Sequence, residues 1–108
     1  MNKKNILIID DEIDIANNIK AILSDEDYET TVAYNSNDAL QFISKNDYNL
    51  IILDVWLNNS DIDGIGILKK LRETSSIPVI IISGHGNIEM AVQAIKEGAN
   101  EFIEKPFT

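Results

Sequence analysis

Asp10 and Asp11 follow the run Ile6-Leu7-Ile8-Ile9, and Asp54 follows Leu50-Ile51-Ile52-Leu53. Two further runs end in polar residues: Val79-Ile80-Ile81-Ile82 leads to Ser83, and Phe102-Ile103 leads to Glu104 and Lys105. Continuous β-branched and leucine runs of this kind mark strands buried on both faces. In a parallel sheet the carboxyl ends of the strands gather along one edge, where α/β proteins place their sites. A carboxylate cluster, a hydroxyl and a lysine gathered there suit a divalent metal and a phosphoryl group.

Taken singly, most of these residues have plainer uses. Asp10 and Asp11 suit the first turn of a helix, where acids favour the helix dipole. Ser83 reads as a turn residue and Lys105 as a solvated lysine. Asp54 is harder to explain away, because the loop after an apolar strand has no need to begin with an acid. It is the set, at successive strand ends, that points to chemistry.

Strand-like and helix-like periods alternate along the chain to position that set. A strand is predicted near residues 5–9, then a helix at about 13–25 with Ile15, Ala16, Ile19, Ile22 and Leu23 on one stripe. Strand two, near 29–34, alternates as an edge strand does. A helix follows at about 36–45, with Ser36 as N-cap and Ala39, Leu40 and Ile43 facing inward. Strand three is 49–53, and a polar loop from Leu57 to Gly64 leads into a third helix at about 64–74, burying Leu68 and Leu71. Strand four is 78–83. Asn87 caps a fourth helix with Ile88, Ala91, Val92 and Ile95 on its apolar face, and Gly98 suits its left-handed stop. Strand five is about 100–104.

This alternation implies right-handed crossovers and a doubly wound α/β fold: a five-stranded parallel sheet in the order 2-1-3-4-5, covered on both faces. A fifth strand ordinarily has a fifth helix to cover it, and the chain reaches Thr108 without one. Residues 1–108 are therefore expected to be one domain lacking its final helix, with exposed apolar surface beside strand five and helix one, and hence less stable or self-associating.

The 108 residues are 44% apolar and 25% charged, as in globular domains. No apolar run approaches the roughly 20 residues that span a bilayer, and no signal peptide opens the chain. The absence of cysteine removes disulfides and thiolate metal sites. A cytoplasmic location is expected. The net charge of −9 opposes nucleic-acid binding, which rests on neutralising phosphates with cations.

Asp10-Asp11, Asp54, Ser83 and Lys105-Pro106, in this order at strand ends, resemble the receiver domain of two-component response regulators, with its CheY-like, flavodoxin-like fold. The stretches Asp54-Val-Trp-Leu, Asp63-Gly64, Ile82-Ser-Gly-His-Gly-Asn-Ile-Glu and Phe102-Ile-Glu-Lys-Pro-Phe107 further resemble the nitrogen-regulation branch (NtrX and NtrC), especially NtrX-like proteins. The loop from Asp54 to Gly64 is longer than the commonest receiver pattern and lacks its Met-Pro, which fits that branch.

The resemblance implies that Asp54 accepts a phosphoryl group from a sensor histidine kinase and becomes a phosphoaspartate. It implies Mg²⁺ held by Asp11, Asp54 and the Trp56 backbone carbonyl, with Asp10 acting through water. Lys105 and Ser83 would bind phosphoryl oxygens, and Ser83 with Phe102 would form the switch. Trp56 and His85, two residues after Asp54 and Ser83, would flank the attacking water and tune phosphate loss. The implied partners are the kinase, an output domain of a longer parent, and a second copy through the helix 4/strand 5 face. The parent of an NtrX-like chain would carry an ATPase and a DNA-binding domain; direct nucleic-acid or membrane contact is not expected of these residues. The domain would be a signalling module, catalysing only its own phosphorylation and slow dephosphorylation.

The rivals are weaker. An aspartate-nucleophile phosphatase of the haloacid dehalogenase type needs an acid two residues after the nucleophile, where this chain has Trp56. A flavodoxin would set its phosphate loop after strand one, where Asp10-Asp11-Glu12 repels phosphate. A receiver-like binding module that has lost phosphorylation would lack one of Asp11, Asp54 or Lys105, and all three are present.

Overall fold

In the computed structural model, the residues described are 4–55, Leu57, 63–84 and 88–104. They form β1 (Asn5–Ile9), α1 (Ile13–Asp25), β2 (Glu29–Ala33), α2 (Ser36–Lys45), β3 (Leu50–Asp54), α3 (Gly64–Arg72), β4 (Val79–Ser83), α4 (Ile88–Lys96) and β5 (Glu101–Glu104). The strands make one parallel five-stranded sheet in the order β2-β1-β3-β4-β5, as expected, with the polar second strand at an edge.

The two faces of the sheet are covered unequally. Leu7, Ile9, Ile51, Leu53, Val79 and Ile81 point to one face, where α2, α3 and α4 supply Ala39, Ile65, Ile67, Leu68, Leu71 and Ala94. Ile6, Ile8 and Ile82 point to the other, where α1 brings Ala16 and Ile19. Each large side chain taken out of water in this way contributes roughly 1.5–3 kcal/mol. Among the described residues a single helix covers this second face, which leaves much of it open. A groove of about 260 Å³ there is lined by Ile19, Ile22, Leu23, Ile52, Ile80 and Ile103, among others, and all four β5 residues are exposed.

Several local expectations need correction. The N-cap of α2 is Asn35, whose Oδ1 accepts from Asp38 N–H at 2.8 Å; Ser36 is the first helical residue and is buried. Ile22 is 59% exposed, because among the described residues no other helix lies beside α1 on that face. On α4 the inward residues are Ala91 and Ala94, whereas Ile88, Val92 and Ile95 face solvent. Small alanines let that helix lie close to the sheet. Strand three includes Asp54 itself, and α3 stops at Arg72 rather than running on to residue 74. The expected Asn87 cap lies outside the described residues.

The end of α3 is tied to the end of α4. The Arg72 guanidinium donates to Gly98 O at 3.0 Å, Ser75 O at 3.2 Å and Asn100 Oδ1 at 3.2 Å, and Asn100 Oδ1 also accepts from Val79 N–H at 2.9 Å. Gly98 has φ +113°, as its expected role at the helix stop requires.

Candidate functional site

The parallel register aligns the carboxyl ends of the central strands. Ile9 of β1 pairs with Leu53 of β3, and Asp54 pairs with Ile82 of β4. Backbone bonds carry the ladder past these last pairs: Asp10 N–H donates to Ala33 O and Val55 N–H to Ile82 O, each at 3.0 Å. Asp10 and Asp54 therefore stand on anchored backbone.

The two-residue period of a strand then decides where each side chain leans. Asp10 continues the row of Ile6 and Ile8, and Asp54 that of Ile52, on the α1 face. Asp10 is fully buried and Asp54 is 3% exposed. One carboxylate oxygen from each of Asp10, Glu12 and Asp54 lies within 4.8 Å of the others. Glu12 joins them because it is the N-cap residue of α1, where its N–H donates to Asp10 Oδ1 at 2.9 Å. Like charges this close repel by on the order of 3 kcal/mol per pair at an effective dielectric of about 20. A donor set made only of carboxylate oxygens fits a hard divalent cation such as Mg²⁺, which offsets that repulsion.

Asp11, expected as a direct metal ligand, is half-buried and is not a member of this trio. Sequence reasoning did not single out Glu12 as a donor. The signal was the unbroken acidic run Asp10-Asp11-Glu12, in which the last residue turns back as the helix begins. Trp56, His85 and Lys105 lie outside the described residues.

Ser83 shares its parity with Val79 and Ile81, so it belongs to the face under α4. It is fully buried, and its Oγ has no hydrogen-bond partner among the described residues. Phe102 pairs with Ile81 and Glu104 with Ser83, which puts Phe102 on the same face as Ser83, one strand over. Phe102 is 38% exposed, so apolar area remains to be covered. The hydroxyl and the aromatic thus share a side of the sheet, while Asp10 and Asp54 lean to the other.

A buried hydroxyl without a partner costs about 1–3 kcal/mol in lost hydration. Ser83→Ala is therefore expected to raise the stability of the metal-free chain by about 1 kcal/mol, a gain of several degrees in Tm for a domain of this size. Thermal melts followed by circular dichroism test this. A fall in Tm would mean that the hydroxyl is already satisfied.

Residues 6–108 match the family described as the response regulator receiver domain. A putative response regulator, NtrX-like, from Rickettsia bellii is 51% identical over 108 residues, covering 99% of this chain and 23% of that protein. The nitrogen assimilation regulatory protein NtrX of Azorhizobium caulinodans is 52% identical over 103 residues, covering 94% of this chain and 23% of its own length. The chain thus spans less than a quarter of these relatives. Among solved structures, the receiver domain of NtrX from Brucella abortus superposes with a TM-score of 0.91 at 47% identity, over 95% of this chain and 87% of that one.

Proposed function

This chain belongs to the response regulator receiver family, and we propose that it acts as a phosphorylation-controlled switch with Asp54 as phosphoacceptor. One observation supports this above the others: the buried Asp54 carboxylate sits within 4.8 Å of two further carboxylates at the edge where strands β1, β3 and β4 end.

In the proposed step a carboxylate oxygen of Asp54 attacks the phosphorus of a phosphohistidine on a sensor kinase. The P–N bond breaks, its electron pair stays on the imidazole nitrogen, and that nitrogen takes up a proton. The product is an acyl phosphate on Asp54, a covalent intermediate of high transfer potential. Mg²⁺, when bound, neutralises charge on the phosphoryl oxygens. Asp11, Asp54 and the Trp56 carbonyl are assigned to hold it, Asp10 acts through water, and Glu12 stands close enough to Asp10 and Asp54 to contribute. Lys105 and the Ser83 hydroxyl are assigned to the phosphoryl oxygens. Phosphate loss reverses the modification: water attacks phosphorus, the bond to the Asp54 oxygen breaks, and the free carboxylate and inorganic phosphate result. Trp56 and His85 are assigned to tune that rate.

The signal leaves the site on the Ser83 side. As the hydroxyl turns toward the phosphoryl group it vacates space under α4, and Phe102, on the same face, moves in. Lacking a hydroxyl, Phe102 registers the change by burial alone. Ile88, Val92, Ile95 and Phe102 would form the face that this movement reshapes, toward an output domain or a second copy. The groove beside α1 would receive a further helix of a longer parent.

The test is to incubate the chain with acetyl phosphate, with Mg²⁺ or with excess EDTA, and record its intact mass. One phosphoryl adduct with the metal and none without it is the expected result. A folded sample that gains no mass in either condition would favour a binding module that works without phosphorylation.

A further inference from the structure

We propose that Gly64 is a positioning residue for the Asp54 site, holding the end of β3 in the geometry that binds the metal; this rests on the receiver function proposed above. α3 begins at Gly64 directly against the peptide that follows Asp54. Gly64 is buried, and its N–H donates to Val55 O at 3.1 Å. A Cβ built at Gly64 would overlap Asp54 O, and would come within 2.8 Å of Val55 Cα and 2.9 Å of Val55 O. All three of those atoms are backbone, with no flexible side chain that could move aside.

The requirement for glycine here is one of space. Any larger residue must push α3 away from β3 or push the Asp54–Val55 peptide away from α3. That peptide is held on its other side, where Val55 N–H donates to Ile82 O at 3.0 Å. Asp54 is thus clamped between β4 and the first turn of α3, and the clamp closes only over a residue without a side chain. The turn is itself fixed by Asp63, whose Oδ1 accepts from Gly66 N–H at 2.9 Å.

Helix capping and metal binding are therefore coupled at the start of α3, as they are at the start of α1 through Glu12, and not at the start of α2. Asn35 caps α2 in the same way, accepting from Asp38 N–H at 2.8 Å, but α2 does not begin against Asp54. Loosening the start of α3 should weaken the metal site, and loosening the start of α2 should leave it alone. Geometry of this kind matters more to Mg²⁺ than to most ions, because it demands near-ideal octahedral placement of its oxygens.

The experiment is an NMR amide titration with MgCl₂ alone, paired with the rate of phosphorylation by acetyl phosphate. Gly64→Ala is expected to raise the Mg²⁺ midpoint at least tenfold and to slow phosphorylation in proportion. Asp63→Ala should raise it several-fold, Asp63→Asn, which keeps the cap and removes the charge, should restore it, and Asn35→Ala should stay within twofold of wild type. Should Gly64→Ala fail to fold, the Asp63 and Asn35 variants decide the matter alone. A wild-type midpoint in Gly64→Ala or Asp63→Ala, or an equal loss in Asn35→Ala, would overturn the positioning role while leaving the phosphoacceptor assignment intact. A wild-type chain that takes up neither Mg²⁺ nor phosphoryl group overturns both.

Discussion

Replacing Asp54 with asparagine is expected to abolish phosphoryl uptake and most of the stabilisation that Mg²⁺ confers. The substitution keeps the shape of the side chain, so the fold should survive. What it removes is the oxygen nucleophile and one of the three closely spaced carboxylates. In the wild-type chain, Mg²⁺ at ten times its Kd should stabilise the native state by about 1.4 kcal/mol through mass action. That is worth roughly 5–10 °C in Tm for a domain of this size. Asp54→Asn should show neither the mass adduct nor more than a small part of the shift. A variant that still shifted fully with Mg²⁺ would place the metal elsewhere, and one that still gained a phosphoryl group would place the acceptor elsewhere.

The second large effect concerns the unequal sheet. Leu7 is fully buried among side chains from the face that three helices cover. Truncating it to alanine should cost about 3 kcal/mol, from lost transfer energy and the cavity left behind. A domain of this length has roughly 5–15 kcal/mol of stability in all, so Tm should fall by more than 10 °C. Ile103 is as apolar as Leu7 and is 46% exposed on the open face. Ile103→Ser should therefore cost only about 1 kcal/mol, well short of the Leu7 loss. It should also reduce self-association at high concentration, measured by sedimentation velocity. Equal losses from the two substitutions would mean that the groove beside α1 is covered in solution.

Much of this architecture was legible because the strands are written plainly. Ile6-Leu7-Ile8-Ile9, Leu50-Ile51-Ile52-Leu53 and Val79-Ile80-Ile81-Ile82 are too short and too rich in β-branched residues for helices, and the polar second strand had to lie at an edge. What stayed hidden depended on register and on contact. The apolar residues of α4 show that a stripe exists but not which side meets the sheet. The structure turns Ala91 and Ala94 inward and leaves Ile88, Val92 and Ile95 outside. For α2, Asn35 and Ser36 are both good caps, and only the backbone distinguishes them.

The site was legible to the same depth. Asp10, Asp54 and Ser83 could be placed at one edge from strand ends alone. That Ser83 shares a face with Phe102, opposite to Asp10 and Asp54, needs the pairing of Asp54 with Ile82 and of Ile81 with Phe102. The approach of Glu12 to Asp54 needs the turn that opens α1. The close fit of Gly64 over Asp54 joins residues ten apart in the sequence, and no local pattern dictates it.

The most direct test is chemical and names a single residue. The chain would be phosphorylated with acetyl phosphate and Mg²⁺, reduced with borohydride, which converts an aspartyl phosphate to homoserine, then digested and sequenced by mass spectrometry. Homoserine at position 54, absent when Mg²⁺ is withheld, is the expected result. Homoserine at another aspartate, or none in a sample that carries the adduct, would contradict Asp54 as the phosphoacceptor.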